Sequence, residues 1–137
     1  MTKHLEKAKA IMLDNNLTLA AINEKKTFTS ELHGIAPVLS LLRTDKSLLE
    51  RASVSDRVIG KAAALLFAYG RVSEIYAGII SEPALETLKK HNIYVVFDEK
   101  TQFIKNRSGE GLCPMEASVM FVESPERGFE ILAGIFQ

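Results

Sequence analysis

Residues 53–70 read SVSDRVIGKAAALLFAYG, and the reading of this run decides the fold. From Val58 to Phe67 it is apolar on almost every side, with Lys61 its one charge. A helix that is hydrophobic nearly all round belongs in the middle of a domain. Ser53-x-x-Asp56 matches a capping box in its Asp form, and Gly70 stops the run. The pattern therefore predicts one central helix over 53–70, with the other elements packed around it. Arg57, Lys61, Ala64 and Ala68 share one narrow face of that helix. Its first turn, where free N–H groups and the positive dipole end gather, is where chemistry is expected.

Upstream, residues 2–15 carry Leu5, Ala8, Ile11 and Met12 at helical spacing, and Asn15-Asn16 closes that helix. Residues 17–31 alternate at Leu17, Leu19 and Ala21, turn polar over 23–26, and resume at Phe28: a β-hairpin. His33-Gly34-Ile35 is a loop, and Pro37 starts a helix to about Arg43. Residues 44–52 are charged and read as exposed. Downstream, residues 72–80 are rich in β-branched residues and form a strand. Ser81-Glu82-Pro83 opens a helix to about His91, and residues 93–98, IYVVFD, form a second buried strand. Strand, helix, strand is a βαβ unit, so these strands are expected to be parallel. A short antiparallel strand over 101–104 follows, then the loop 105–112, KNRSGEGL. Cys113-Pro114 begins a helix through about Val122. Ser124 caps a last helix with Phe129, Leu132 and Phe136 on one face.

With 137 residues the chain fits one domain, 1–137, with one core. Lys+Arg and Asp+Glu both number 17, so no basic field exists to hold phosphate backbones, which argues against a nucleic-acid partner. No apolar run is long enough for a membrane span, and the Met-Thr-Lys-His start is not a signal peptide. A single Cys excludes an intrachain disulfide and any Cys-pair zinc site. The expectation is a cytoplasmic protein with no membrane partner.

The order of these elements resembles the cytidine-deaminase-like fold, a three-layer α/β/α sandwich on a mixed sheet of about five strands. The strand running into Ser81-Glu82-Pro83-Ala84 is similar to the deaminase strand that ends in Glu-Pro-Cys. The helix read from Asp56 is similar to the one that bears the His/Cys-x-Glu signature. SDRVIGKAAALL and SGEGLCPME resemble a small, uncharacterised bacterial family of that superfamily, over about residues 1–137. Zinc deaminases need three N/S ligands, a bound water and a Glu proton shuttle. Here the Pro-Cys-x-x-Cys equivalent reads Pro83-Ala84-Leu85-Glu86-Thr87, and Asp56-Arg57-Val58 stands where His-x-Glu would begin the helix. His4, His33 and His91 are scattered. The fold is therefore expected without zinc-dependent deamination, with no metal site and no cofactor.

Helix N-termini attract anions, so a phosphate or carboxylate fits at the starts near Asp56 and Pro83, beside Ser81 and Glu82. Arg57 and Lys61 are either ligand contacts or an exposed stripe, and Asp56 is a helix cap or a proton-transfer group. Cys113 is either a small buried hydrophobe or a thiol activated at a helix start; Glu116, also expected among the ligand contacts, is either a capping partner there or a charge opposing thiolate formation. Cys113, Asp56 and Lys61 are expected to face one cleft. Loop 105–112 can span roughly 26 Å and so carry Asn106, Arg107, Ser108 and Gly109 to it. Two function classes follow. One is a domain binding a small anionic or nucleotide-like ligand; the other is a thiol-dependent enzyme or covalently modified protein using Cys113. No base for the thiol is visible in the sequence, which favours binding. A homodimer through the last helix is the alternative to packing that helix on the core.

Overall fold

The run 53–70 is a strand followed by a helix, with Gly60 between them. The computed structural model describes residues 1–24, 26–105 and 113–135. α1 (Lys3–Asp14) is capped by the Thr2 hydroxyl, which accepts from Leu5 N, and Asn16 leaves the helix in the left-handed region at φ 53°. β1 (Leu19–Asn23) and β2 (Lys26–Ser30) make the expected antiparallel hairpin. α2 (Ala36–Thr44) carries Pro37 in its first turn, and α3 (Lys46–Leu49) follows. β3 (Ser53–Ile59), α4 (Lys61–Tyr69), β4 (Glu74–Ser81), α5 (Glu82–Lys90) and β5 (Tyr94–Thr101) form two consecutive βαβ units. α6 (Pro114–Ser118) and α7 (Pro125–Ile135) complete the described chain.

The five strands make one mixed sheet in the order β2-β1-β3-β4-β5. β1 is antiparallel to both its neighbours, whereas β3, β4 and β5 are parallel. β3 is thus the central strand, where the sheet changes sense. Successive residues of β1 and β4 divide its two faces. Ala20 and Tyr76 pack with Leu5 and Met12 of α1. Ala21, Ile75 and Ala77 pack with residues of α2, α4 and α5 in the main core. The result is an α/β protein with helices on both faces, and α7 lies on α4.

α4 is the centre that its all-round apolar sequence implies: Ala62 to Phe67 are buried throughout. Each large side chain there contributes roughly 1.5–3 kcal/mol of burial. Gly128 of α7 lies where a Cβ would be 3.0 Å from Leu65, and Phe129 stacks on Tyr69 with centroids 4.5 Å apart. Phe129 and Leu132 therefore pack toward the core, while Phe136 lies outside the described residues.

Five expectations change. Ser53-x-x-Asp56 is no capping box. Ser53, Ser55 and Arg57 alternate with Val54, Asp56 and Val58 along β3, and the Ser55 hydroxyl donates to Ala8 O of α1 at 2.8 Å. Residues 44–52 are not simply exposed, because α3 turns Leu48 and Leu49 into the core. β5 is an edge strand with Tyr94 57% and Phe97 37% exposed, not a buried one. No strand returns over 101–104: β4 extends to Ser81 and offers pairing to Thr101, so β5 continues parallel to that residue. α6 also ends sooner than expected, at Ser118, whose hydroxyl donates back to Met115 O.

Candidate functional site

The carboxyl half of β3 and the α4 start gather most of the buried charge among the described residues: Asp56, Lys61 and Glu116. Gly60 ends the strand with extended backbone and caps α4 without a side-chain bond. The free N–H groups of α4's first turn are met from elsewhere. Lys61 N donates to Glu116 Oε1 at 2.6 Å and Ala62 N to Glu116 Oε2 at 2.8 Å. A Cβ on Gly60 would lie 2.1 Å from Glu116 Oε1, so only glycine leaves room for this carboxylate. The anion expected at the central helix start is therefore one of the chain's own side chains. Burial raises the Glu116 pKa, against the lowering by the Ala62 and Lys61 N–H groups and the Lys61 charge. The Lys61 ammonium, itself buried, donates to Met120 O at 2.8 Å.

Arg57 faces α1. Its Nε donates to Leu17 O at 2.9 Å and its Nη2 to Met12 O at 3.4 Å, which ties the end of α1 to β3. Asp56 is buried in the sheet between β1 and β4, opposite Leu19 and Ala77. Burial pushes its pKa up to about 8, although N–H groups of Val58 and Arg57 pull the other way.

A cleft of about 940 Å³ opens at this end of the sheet, lined by Thr18, Glu31, His33, Ile35, Arg57, Val58, Gly60, Ala63, Lys105, Cys113, Met115 and Glu116 among others. A second space, of about 40 Å³, is lined by Lys61, Ser81, Pro83, Phe103, Ile104, Glu116 and Met120. Glu116 lines both, so its carboxylate stands between the cleft and the meeting point of the α4 and α5 starts.

The residues singled out from sequence separate accordingly. Cys113, half-buried, reaches the cleft together with Arg57 and Glu116. It precedes α6, and its N–H donates to Ile104 O at 3.2 Å. Lys61 and Ser81 line the small space instead, and Ser81 caps α5 by accepting from Ala84 N at 3.2 Å. Asp56 lines neither space. Glu82 is at the surface, paired with Lys100 at 2.9 Å. Asn106, Arg107, Ser108 and Gly109 lie outside the described residues. Sequence reasoning missed His33, Glu31 and Lys105, which line the same cleft as Cys113. Only Gly34, left-handed at φ 73°, marked that loop as a turn.

Among the described residues no three of His, Cys, Asp and Glu gather in a way that could hold a metal ion. Among them, too, no helix is long and apolar enough to cross a membrane.

Fold and site together define an α/β protein with one mixed five-strand sheet and a cleft at the carboxyl end of its central strand. The chain belongs to the DUF1893 family, a domain of unknown function whose family model, TM1506, matches residues 7–136. The crystal structure of a DUF1893 family protein, TM1506 from Thermotoga maritima, is similar to it with a TM-score of 0.89. That likeness has 30% sequence identity and covers 98% of this chain and 91% of that one. No curated protein matches the chain.

Proposed function

We propose that this chain is a binding protein of the cytidine-deaminase-like superfamily, holding a small anionic or nucleotide-like ligand in the cleft beside β3. The mixed sheet and the β4–α5 junction at Ser81-Glu82-Pro83 support the superfamily. Ala84 stands where that superfamily places a thiolate ligand, and α4 begins Gly60-Lys61-Ala62, with no His or Cys at its start. These departures argue against zinc-dependent deamination.

The observation that carries the binding reading is the make-up of the cleft. Open α/β sheets bind ligands outside the carboxyl ends of their strands. This cleft lies there, where the sheet changes from parallel to antiparallel. Ile35, Val58, Ala63 and Met115 offer apolar surface to a ligand body, and Arg57 and Lys105 offer cations to its anionic group. Glu116 already fills the α4 start, so the ligand sits beside that helix terminus rather than on it.

Calorimetric titration with the four ribonucleoside monophosphates, each beside its parent nucleoside, tests this. At least one monophosphate is expected to bind, and more tightly than its nucleoside. Lys105→Gln, at an exposed position, should weaken it about tenfold, or about 1.4 kcal/mol. The proposal fails if no probe binds and native mass spectra of the fresh protein carry no small molecule, or if binding ignores Lys105 and Arg57 alike.

A second reading, thiol chemistry at Cys113, gains one observation: His33 lines the same cleft, an imidazole of the type that could serve as its base. Thiol labelling across pH separates the two. A rate that drops in His33→Gln supports the pair, and equal rates leave binding alone.

A further inference from the structure

The two edges of the sheet are guarded differently. β2 is short, and Lys26, Thr27 and Thr29 give it a polar rim. Such residues blunt an edge against pairing with other chains. β5 reads YVVFDEKT, has neither Pro nor Gly, and pairs with β4 from Tyr94 to Thr101. Among the described residues no strand pairs with its outer side. Its second half, Asp98, Glu99 and Lys100, is charged, but Tyr94 and Phe97 on it remain exposed, an unusual pair of side chains for an edge with no described strand beside it.

We infer that β5 pairs antiparallel with β5 of a second copy of this chain, about a two-fold axis normal to the sheet, joining two five-strand sheets into one. Charge selects the register. A two-fold axis normal to the sheet keeps every side chain on its own face, so directly opposed residues differ by an even number of positions. An axis at Asp98 or Glu99 sets two like carboxylates against each other, which is destabilising. An axis at Val96 pairs only the stretch from Tyr94 to Asp98. An axis at Phe97 pairs everything from Tyr94 to Lys100 and opposes no like charges. It places Phe97 against Phe97, Val96 against Asp98, Val95 against Glu99 and the Tyr94 ring against the Lys100 ammonium. Aromatic pairs and ammonium–ring contacts both favour this register. Among the described residues Lys100 pairs with the half-exposed Glu82 carboxylate, a pair of the kind that contributes little and yields easily. The surface is distinct from α7, whose Leu132 is fully buried against this chain's own core.

Light scattering and sedimentation of the full chain test this. The expected mass is twice 15.2 kDa. Phe97→Asp sets two carboxylates across the axis and should give the monomer mass with an unchanged circular dichroism spectrum. A second measurement avoids dependence on that variant's folding. In a Cys113→Ser background, Phe97→Cys should form a disulfide with its own copy on mild oxidation, because opposed Cα atoms lie in bridging range. Tyr94→Cys and Glu99→Cys, opposed by other residues, should not. A wild-type chain that stays monomeric at every concentration overturns the inference. So does a dimer that gives no Phe97→Cys cross-link.

Discussion

The two ends of the central strands each bury a carboxylate, and they satisfy it by different means. At the amino end Glu74 of β4 accepts the hydroxyls of Ser53 and Thr2, both at 2.5 Å. Thr2 also caps α1, so one carboxylate joins α1, β3 and β4. At the carboxyl end Glu116 accepts the backbone N–H groups of Lys61 and Ala62 at a helix start, next to a large cleft that Arg57 also lines. Hydroxyl partners are local and make no demand on a ligand. A helix start keeps its demand for an anion whichever group supplies it. The amino end closes the fold, and the carboxyl end holds what a ligand can use.

The largest expected effect lies in Asp56 and is read by pH. Its folded pKa of about 8 lies above the ordinary 3.8. The folded chain therefore holds the extra proton between those values. Stability from this group is full below the ordinary pKa and falls as pH rises toward 8, by roughly 1 kcal/mol per pH unit. Asp56→Asn keeps the shape and removes the ionisation. It should match the wild type near pH 4 and exceed it in stability by several degrees of melting temperature at pH 8. Parallel pH profiles for the two proteins would show that Asp56 stays ionised and would remove the contrast between the ends.

Next is Gly78→Ala, near the carboxyl end of β4. A Cβ there would come within 2.7 Å of the Arg57 carbonyl oxygen, a backbone atom of the neighbouring strand. Neither strand can move without disturbing both of its partners, so the cost should be about 3 kcal/mol. Chemical denaturation checks it. A loss under 1 kcal/mol would mean that this end of the sheet is looser than its partner-rich geometry implies.

The same contrast explains what was legible in the sequence. KAAALLFAY needs no partner to show that it is buried on all sides, and α4 is the centre. SVSDRVI carries a strand period in Ser53, Ser55 and Arg57 against Val54 and Val58, but Asp56 breaks the apolar series. A buried carboxyl satisfied by its own neighbouring backbone N–H groups leaves no composition signal. Ser53-x-x-Asp56 therefore imitates a helix cap. The hairpin, the parallel pair β4 and β5, and the α5 start at Ser81 were legible because their turn and cap residues are local. β5 looked buried because YVVF is apolar, and edge position is set by topology rather than composition. The cleft was half legible. Cys113 and Glu116 stood out by type, but His33 and Lys105 join them only through the packing of distant segments. Nothing local announces that Glu116 reaches Gly60.

That contact supplies a smaller test. Glu116→Ala leaves two buried N–H groups without an acceptor and should cost about 2 kcal/mol. Gly60→Ala displaces the same carboxylate and should cost about as much. The double variant should lose little more than either alone, a coupling of about 2 kcal/mol in a double-mutant cycle. Additive losses would place the two residues in separate roles and detach α6 from the helix start.

The smallest effect belongs to the closed end. Thr2→Val removes an N-cap acceptor from α1 and one of the two hydroxyls on Glu74. Cap loss alone costs about 1 kcal/mol, and Ser53 still donates to the carboxylate, so the total should stay near that figure. Thr2→Ser keeps the hydroxyl and should be neutral. Both are read by denaturant melts, alongside thiol labelling of Cys113 as a report on the far end. If the amino end serves only to close the fold, labelling is unchanged in Thr2→Val while stability falls. A labelling rate that shifts with Thr2 would mean that α1, clasped at its other end by Arg57, transmits strain along the sheet to the cleft, and the two ends would then be one coupled unit.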